Sequence, residues 1–272
     1  MKSAIKIILL FCICAYLSSC KKDAAAPTYV DTPIVQAFLQ VGSPALVNVS
    51  KLIPYDPNAQ NSQSNIDGLD LHIISGNNNH TLNSIGGGNY VDSSLIITDT
   101  ATYLLQFNYN GKLVSATTKA LSKPQGFTQS ATVITITQIP VGQSSFGFNS
   151  SLPPPITLNW SNPDNSYYIV VVQNTETNPV LINLNDTTAA TLRVFRNEPT
   201  QDVTSLLNAR QFKYYGNHTI TLYHVLSDYA DLYKNSGVSS QNLTTPTTNI
   251  TNGLGIFTAI NSSVLYVNVH KQ

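Results

Sequence analysis

The side chains able to do acid–base, nucleophilic or metal chemistry are few and scattered along the chain. Histidine occurs at His72, His80, His218, His224 and His270. His218 and His224 share one strand-like stretch at even spacing, so they project from the same face, but six residues at about 3.4 Å each separate them by roughly 20 Å. One metal ion cannot bridge that distance. The residues between them on that face are Ile220 and Leu222, which places both histidines on the rims of a core face. No His-x-x-x-His or His-Glu-x-x-His pair occurs, so a zinc site would have to be assembled from distant loops. Nucleophilic catalysis has no Gly-x-Ser-x-Gly elbow to work from. Paired carboxylates for glycoside cleavage are poorly supplied: the only glutamates are Glu176 and Glu198, and Asp67, Asp70, Asp164 and Asp202 sit where turn and cap roles are ordinary. Gly86-Gly87-Gly88 precedes no helix and reads as a turn rather than a phosphate cradle. The expectation is a protein that is not an enzyme, with no catalytic residue, no metal and no cofactor.

One residue does have a prescribed reaction. Leu17-Ser18-Ser19-Cys20 closes a stretch in which Lys2 and Lys6 precede the apolar run Ile7 to Leu17. That run is shorter than the roughly 20 residues a permanent membrane helix needs, and it has the charged start and small-residue exit of an export signal. The pattern is that of a bacterial lipoprotein signal peptide over residues 1–19, with Cys20 lipidated as the first mature residue. Acyl chains, palmitate among them, then hold the protein at about 0.8 kcal/mol per buried CH₂, without a transmembrane helix. Lys21, not Asp, follows the cysteine, which favours the outer membrane over retention at the inner one. Cys12 and Cys14 leave with the signal, so the folded part has no disulfide or redox pair.

Charged residues make up 10% of the chain, and 14 Lys+Arg balance 14 Asp+Glu. With no basic stripe to collect phosphates, nucleic acid is excluded as a partner. Polarity comes instead from Asn, Ser, Thr and Gln beside many Tyr, a composition suited to strand faces and loops.

Residues 20–30 form a lipidated tether, and strands begin near Pro33. Ile34–Leu39 and Ala45–Val49 are rich in β-formers and are punctuated by Gly42-Ser43-Pro44. Leu69, His72 and Ile74 belong to another strand, followed by a turn at Gly76 to Asn79. Asn110-Gly111 between Thr102–Tyr109 and Lys112–Thr118 is the strongest short hairpin signal available, with Leu113 and Val114 on opposite faces. About seven strands in residues 31–121 predict a small β-sandwich of Ig/prealbumin type. Ser122-Lys123-Pro124 marks a boundary, and residues 122–272 predict a second sandwich. There Ile156, Leu158 and Trp160 alternate onto one face before a turn at Asn162-Pro163-Asp164, similar to the second and third strands of fibronectin type III domains, with Trp160 in the core. Two short helices are expected, one capped by Asp202 over Val203–Ala209 and one capped by Ser227 over Asp228–Lys234, covering an open end of the sandwich. Gly253 and Gly255 suggest a bulge or positive-φ loop that returns the chain to the sandwich and buries Phe257.

Several pieces, in order, resemble a Bacteroidetes outer-membrane lipoprotein family of unknown function, the domain of unknown function 4249. They are the Cys20 lipobox, the Pro33–Leu39 opening, Gly88-Asn89-Tyr90, Thr102–Leu105, Trp160–Pro163 before Tyr167-Tyr168, Tyr223–Leu226 entering the Ser227 helix, and Asn249–Phe257 with its Gly-x-Gly-Ile-Phe box. The resemblance implies two β-sandwich domains, residence at the outer membrane and a place beside a TonB-dependent receptor or another envelope protein. It supplies no catalytic residue.

The expected function is therefore non-enzymatic: a lipid-anchored protein that binds a partner protein or extracellular ligand through loops at the ends of its sandwiches. An alternative is a glycan-binding accessory to nutrient uptake, with Tyr167, Tyr214, Tyr215 or Tyr233 stacking on sugar rings. A third is a hydrolase with a dispersed site. Asp99-Thr100-Ala101 and Asp186-Thr187-Thr188 resemble O-glycosylation sites of Bacteroidetes secreted proteins.

Overall fold

Alternation of apolar and polar residues carries through most of the chain, and strands follow it. The computed structural model describes residues 31–51, 64–143, 152–186, 193–234 and 247–272. Cys20, the expected export signal and the expected tether lie outside the described residues, as do Thr187 and Thr188. The first half holds β1 (Pro33–Gln40), β2 (Pro44–Lys51), β3 (Ser64–Asn65), β4 (Leu71–Ser75), β5 (Asn78–Gly86), β6 (Asn89–Ile96), β7 (Thr102–Tyr109) and β8 (Lys112–Lys119). The second holds β9 (Thr128–Gln129), β10 (Val133–Ile136), β11 (Ile156–Asn159), β12 (Tyr167–Asn174), β13 (Val194–Arg196), β14 (Thr204–Leu207), β15 (Gly216–Val225) and β16 (Leu254–Lys271). A single α-helix among the described residues, α1 (Ser227–Lys234), links β15 to the last segment. The protein is all-β.

Thirteen strands form one sheet along the path β13-β12-β15-β16-β1-β2-β6-β5-β4-β7-β8, with β10 on β16 and β3 on β2, while β14-β11-β9 form a second, small sheet. β16 is the organising element. Its 18 residues span roughly 60 Å at about 3.3 Å each. It pairs antiparallel with β15, and parallel with both β1 and β10. Odd-numbered β16 residues face inward along this length: Phe257 and Ala259 enter a first core, Val267 and Val269 a second. The first core is filled by Val35, Leu39, Val49, Leu105, Phe107 and Val114 as β7 and β8 fold over β1 and β16. The second lies between the small sheet and β12-β15-β16, with Ile156, Leu158 and Trp160 set against Tyr168, Val170 and Leu222.

These cores are two sandwiches, but the chain does not divide between them at residue 121. Ile250, Phe257 and Ala259 belong to the first core, and Thr32–Gln272 forms one compact unit. Side chains bind the expected boundary into place: His224 Nδ1–H donates to the Ser122 carbonyl at 2.8 Å and Asn261 Nδ2 donates to that of Leu121 at 2.9 Å.

Other local expectations are corrected. Val203–Ala209 is not a helix: Thr204–Leu207 is β14, paired with β11 and burying Leu207, and only Ala209–Gln211 makes a single 3₁₀ turn. Pairing with Ile156–Asn159 outweighs the weak local preference of a Val-Thr-Ser-Leu-Leu run. In β4 the core residues are Leu71 and Ile73, so His72 and Ile74 face outward and Leu69 precedes the strand. Gly76 and Asn77 alone turn the chain there. The Asn110-Gly111 hairpin forms with both residues at positive φ, 48° and 74°, as a type I′ turn requires.

Candidate functional site

The sheet face opposite the two cores should be polar if it only met water, and part of it is, with Asn217, Thr219 and Thr221 of β15 and Ser262 of β16. One strip is not. Along β1, β16, β15, β12 and β13 that face carries Phe38, Ile260, Tyr223, Val225, Ile169 and Val171, and α1 closes one side, so the strip becomes a groove of about 610 Å³. Ile169 at its base is 2% exposed, whereas Phe38 at its rim is 44% exposed. The α1 helix lies on this outer face rather than over an end of a sandwich. Asp228 anchors it, its carboxylate accepting from Thr258 Oγ1 at 3.0 Å and from Asn249 Nδ2. Asn249 in turn brackets Phe257, donating to its carbonyl and accepting its N–H.

Helical spacing then puts Tyr229 and Tyr233 on one side of α1. Tyr229 meets Phe38 edge-on at 5.6 Å between ring centroids and leans on Tyr233 at 5.7 Å. The Arg196 guanidinium from β13 stands 5.0 Å from the centre of the Tyr233 ring. Burial and the neighbouring Tyr229 hydroxyl push the Tyr233 phenol up to about 12, so it stays a neutral donor at any physiological pH. Burial likewise raises Tyr223. Among the described residues, the groove is thus an apolar trough whose lining adds the Tyr223 and Tyr229 phenols, one amide from Gln40 and one formal charge, Arg196.

The residues singled out from sequence fall elsewhere. Trp160 is a core residue, 5% exposed, in a ring series in which Tyr168 lies 5.8 Å from it and stacks on His224 at 4.6 Å and 9°. His218 and His224 do share the inner face of β15, both 3% exposed. Tyr214 and Tyr215 are buried at 4% and 8%, Tyr215 donating to the Ile136 carbonyl, which removes both as sugar platforms. Tyr167 and Tyr233 are half-buried, and only Tyr233 joins the groove cluster. Thr100 is exposed in a turn at φ 59°. Among the described residues no three His, Cys, Asp or Glu side chains gather as a metal site. No helix among them is long and apolar enough to cross a membrane.

His218 is neutral by geometry. Its Nδ1 lies 3.0 Å from the Gly216 carbonyl, which only accepts, so Nε2 accepts from Asn174 Nδ2 at 3.2 Å. Burial lowers its proton affinity, partly offset by that carbonyl and by Glu176. The folded chain resists a proton that the unfolded chain takes up below about pH 6.5, so stability falls as pH drops from there toward the depressed folded value, by up to about 1.4 kcal/mol per pH unit. Urea midpoints at pH 7.5 and 5.0 should fall further for the natural chain than for His218→Gln. Equal falls would remove His218 as the source.

No family model and no curated protein matches the chain. Among solved structures it is similar to the FN1–FN3 domains of chicken CNTN1, with 12% identity, 90% of this chain and 68% of that chain covered, and a TM-score of 0.25.

Proposed function

We propose that the protein is a non-enzymatic, lipid-anchored outer-membrane protein of the Bacteroidetes lipoprotein family that its motifs resemble. Acyl chains on Cys20 hold it at the membrane, and the outer-face groove binds an extracellular ligand that it presents to a partner such as a TonB-dependent receptor. The observation that carries this reading is the recessed apolar trough that remains beside α1 on the outer sheet face. At about 610 Å³ its size suits a small ligand, and walls with a few placed polar groups are the usual make-up of such sites. Placing the site on the sheet face moves it away from the loop ends expected from sequence, because there the rings are held by strands and a helix.

Two measurements test the proposal. Outer-membrane fractions should contain the natural chain and lose it in Cys20→Ala; equal recovery would remove the anchor. Glycan and metabolite arrays probed with the purified protein should yield a ligand whose binding falls about tenfold or more in Arg196→Ala/Tyr229→Ala, since truncating a central aromatic or Arg contact typically costs more than 1 kcal/mol. A ligand bound equally by that variant would place the site elsewhere, and a sugar ligand would select the glycan-binding form of the proposal.

A further inference from the structure

The whole chain contains three arginines, Arg193, Arg196 and Arg210, and all three stand around the short edge strand β13. Arg196 belongs to the groove. On the opposite face of the strand, Arg193 and Arg210, together with Lys213, line a separate pocket of about 270 Å³. In a chain with 10% charged residues, three cations thus line one hollow.

The pocket has a neutral base. Asn174 and His218 are each 3% exposed, and their polar atoms are used on one another and on the backbone: Asn174 Nδ2 donates to the Tyr215 carbonyl and meets His218 Nε2, and Asn174 Oδ1 accepts the Glu176 N–H. Phe195, Tyr214 and Val172 complete the wall. Among the described residues, its lining holds three cations and no carboxylate. Two acids at its border are engaged, Asp186 with Lys213 at 3.3 Å and Glu176 with the Asn217 N–H at 2.7 Å. Arg193 is also held in place, donating through Nη1 to the Glu176 carbonyl at 3.2 Å, which leaves the rest of its guanidinium fork for a second acceptor.

We propose that this pocket binds an oxyanion group, a carboxylate, phosphate or sulfate, gripped by Arg193, Arg210 and Lys213 over the neutral Asn174–His218 base. Guanidinium forks match planar or tetrahedral oxyanions with two parallel hydrogen bonds. The volume is below that of a complete drug-sized ligand and suits the charged end of one. The site is distinct from the groove: none of its cations or rings lines the groove, and Val194 of β13 alone borders both.

Calorimetric titration of the full-length protein with acetate, inorganic phosphate and sulfate tests it. At least one should bind, with affinity falling as salt rises. Arg193→Gln/Arg210→Gln should weaken that binding about tenfold or more, at an unchanged melting temperature, and Arg193→Lys/Arg210→Lys should recover part of it. Flotation of the unacylated Cys20→Ala chain with phosphatidylglycerol and with phosphatidylcholine vesicles separates the sources: recruitment by phosphatidylglycerol alone, lost when the Gln substitutions are added, assigns the oxyanion to a lipid headgroup. The proposal is overturned if none of the three anions and neither vesicle binds, or if binding is unchanged in the Gln variant. It is overturned too if that variant differs only by aggregating, which would make the arginines guards of an open sheet edge.

Discussion

Gly255→Ala should destabilise the protein by about 3–5 kcal/mol, enough to remove much of the 5–15 kcal/mol that typically separates folded from unfolded chains. Gly255 has φ 101°, a conformation L side chains rarely adopt, and it lies in register with Val35 in the parallel β1–β16 ladder. A Cβ there would overlap the Val35 carbonyl oxygen and press on its carbonyl carbon and nitrogen as well. The obstacle is backbone, so it cannot rotate away as a side chain would. Backbone strain of about 1–3 kcal/mol therefore adds to the loss of ladder hydrogen bonds on either side. Gly42→Ala is the matched control: its φ is also positive, at 84°, but a Cβ meets nothing within 4 Å. That variant should lose about 1–2 kcal/mol, from conformation alone. Urea denaturation followed by circular dichroism compares the two, and equal midpoints would mean that β1 does not depend on close approach to β16.

The Gly255 geometry also shows what the sequence made legible. Two glycines before Ile256-Phe257 predict a positive-φ segment that buries Phe257, and Phe257 is fully buried. Alternation likewise finds the inward face of Ile156, Leu158 and Trp160 and that of His218 and His224, because a half-buried strand writes its orientation into every second residue. Asn110-Gly111 is legible for a local reason, that few dipeptides accept two successive positive φ angles. Pairing is not local. Nothing in Ile34–Gln40 specifies that its partner is Leu254–Ile260 at the other end of the chain, so a boundary at Ser122 looked like a division between domains. The Thr204–Leu207 strand was hidden similarly, since an Asp before Val-Thr-Ser-Leu-Leu caps a helix as readily as it precedes an edge strand. For the candidate site, i, i+4 spacing sets Tyr229 and Tyr233 on one face of α1, but Phe38 and Arg196 reach them from β1 and β13. Only the strand order places those four side chains together.

If β16 joins the two cores mechanically, damage in one must be felt in the other. Phe107 is 2% exposed in β7, within the first core and remote in sequence from the second. Phe107→Ala should cost about 3–5 kcal/mol through lost burial and the cavity left behind. Trp160 is the chain's single tryptophan and is buried in the second core, so its fluorescence reports only there. With two independent sandwiches, Phe107→Ala would leave the Trp160 midpoint in urea where it was and split the circular dichroism curve into two steps. A shared strand predicts otherwise. Opening the first core strips Phe257 and Ala259 of their packing and frees one end of β16, whose other end supplies Val267 and Val269 to the second core and pairs with all of β15 from Gly216 to Val225. The Trp160 transition should therefore shift to lower urea by the same amount as the circular dichroism transition, with its slope retained, because the surface exposed in the cooperative step is unchanged. A Trp160 midpoint unmoved by Phe107→Ala would show that the hydrogen bonds along β16 hold its second half in place without its first.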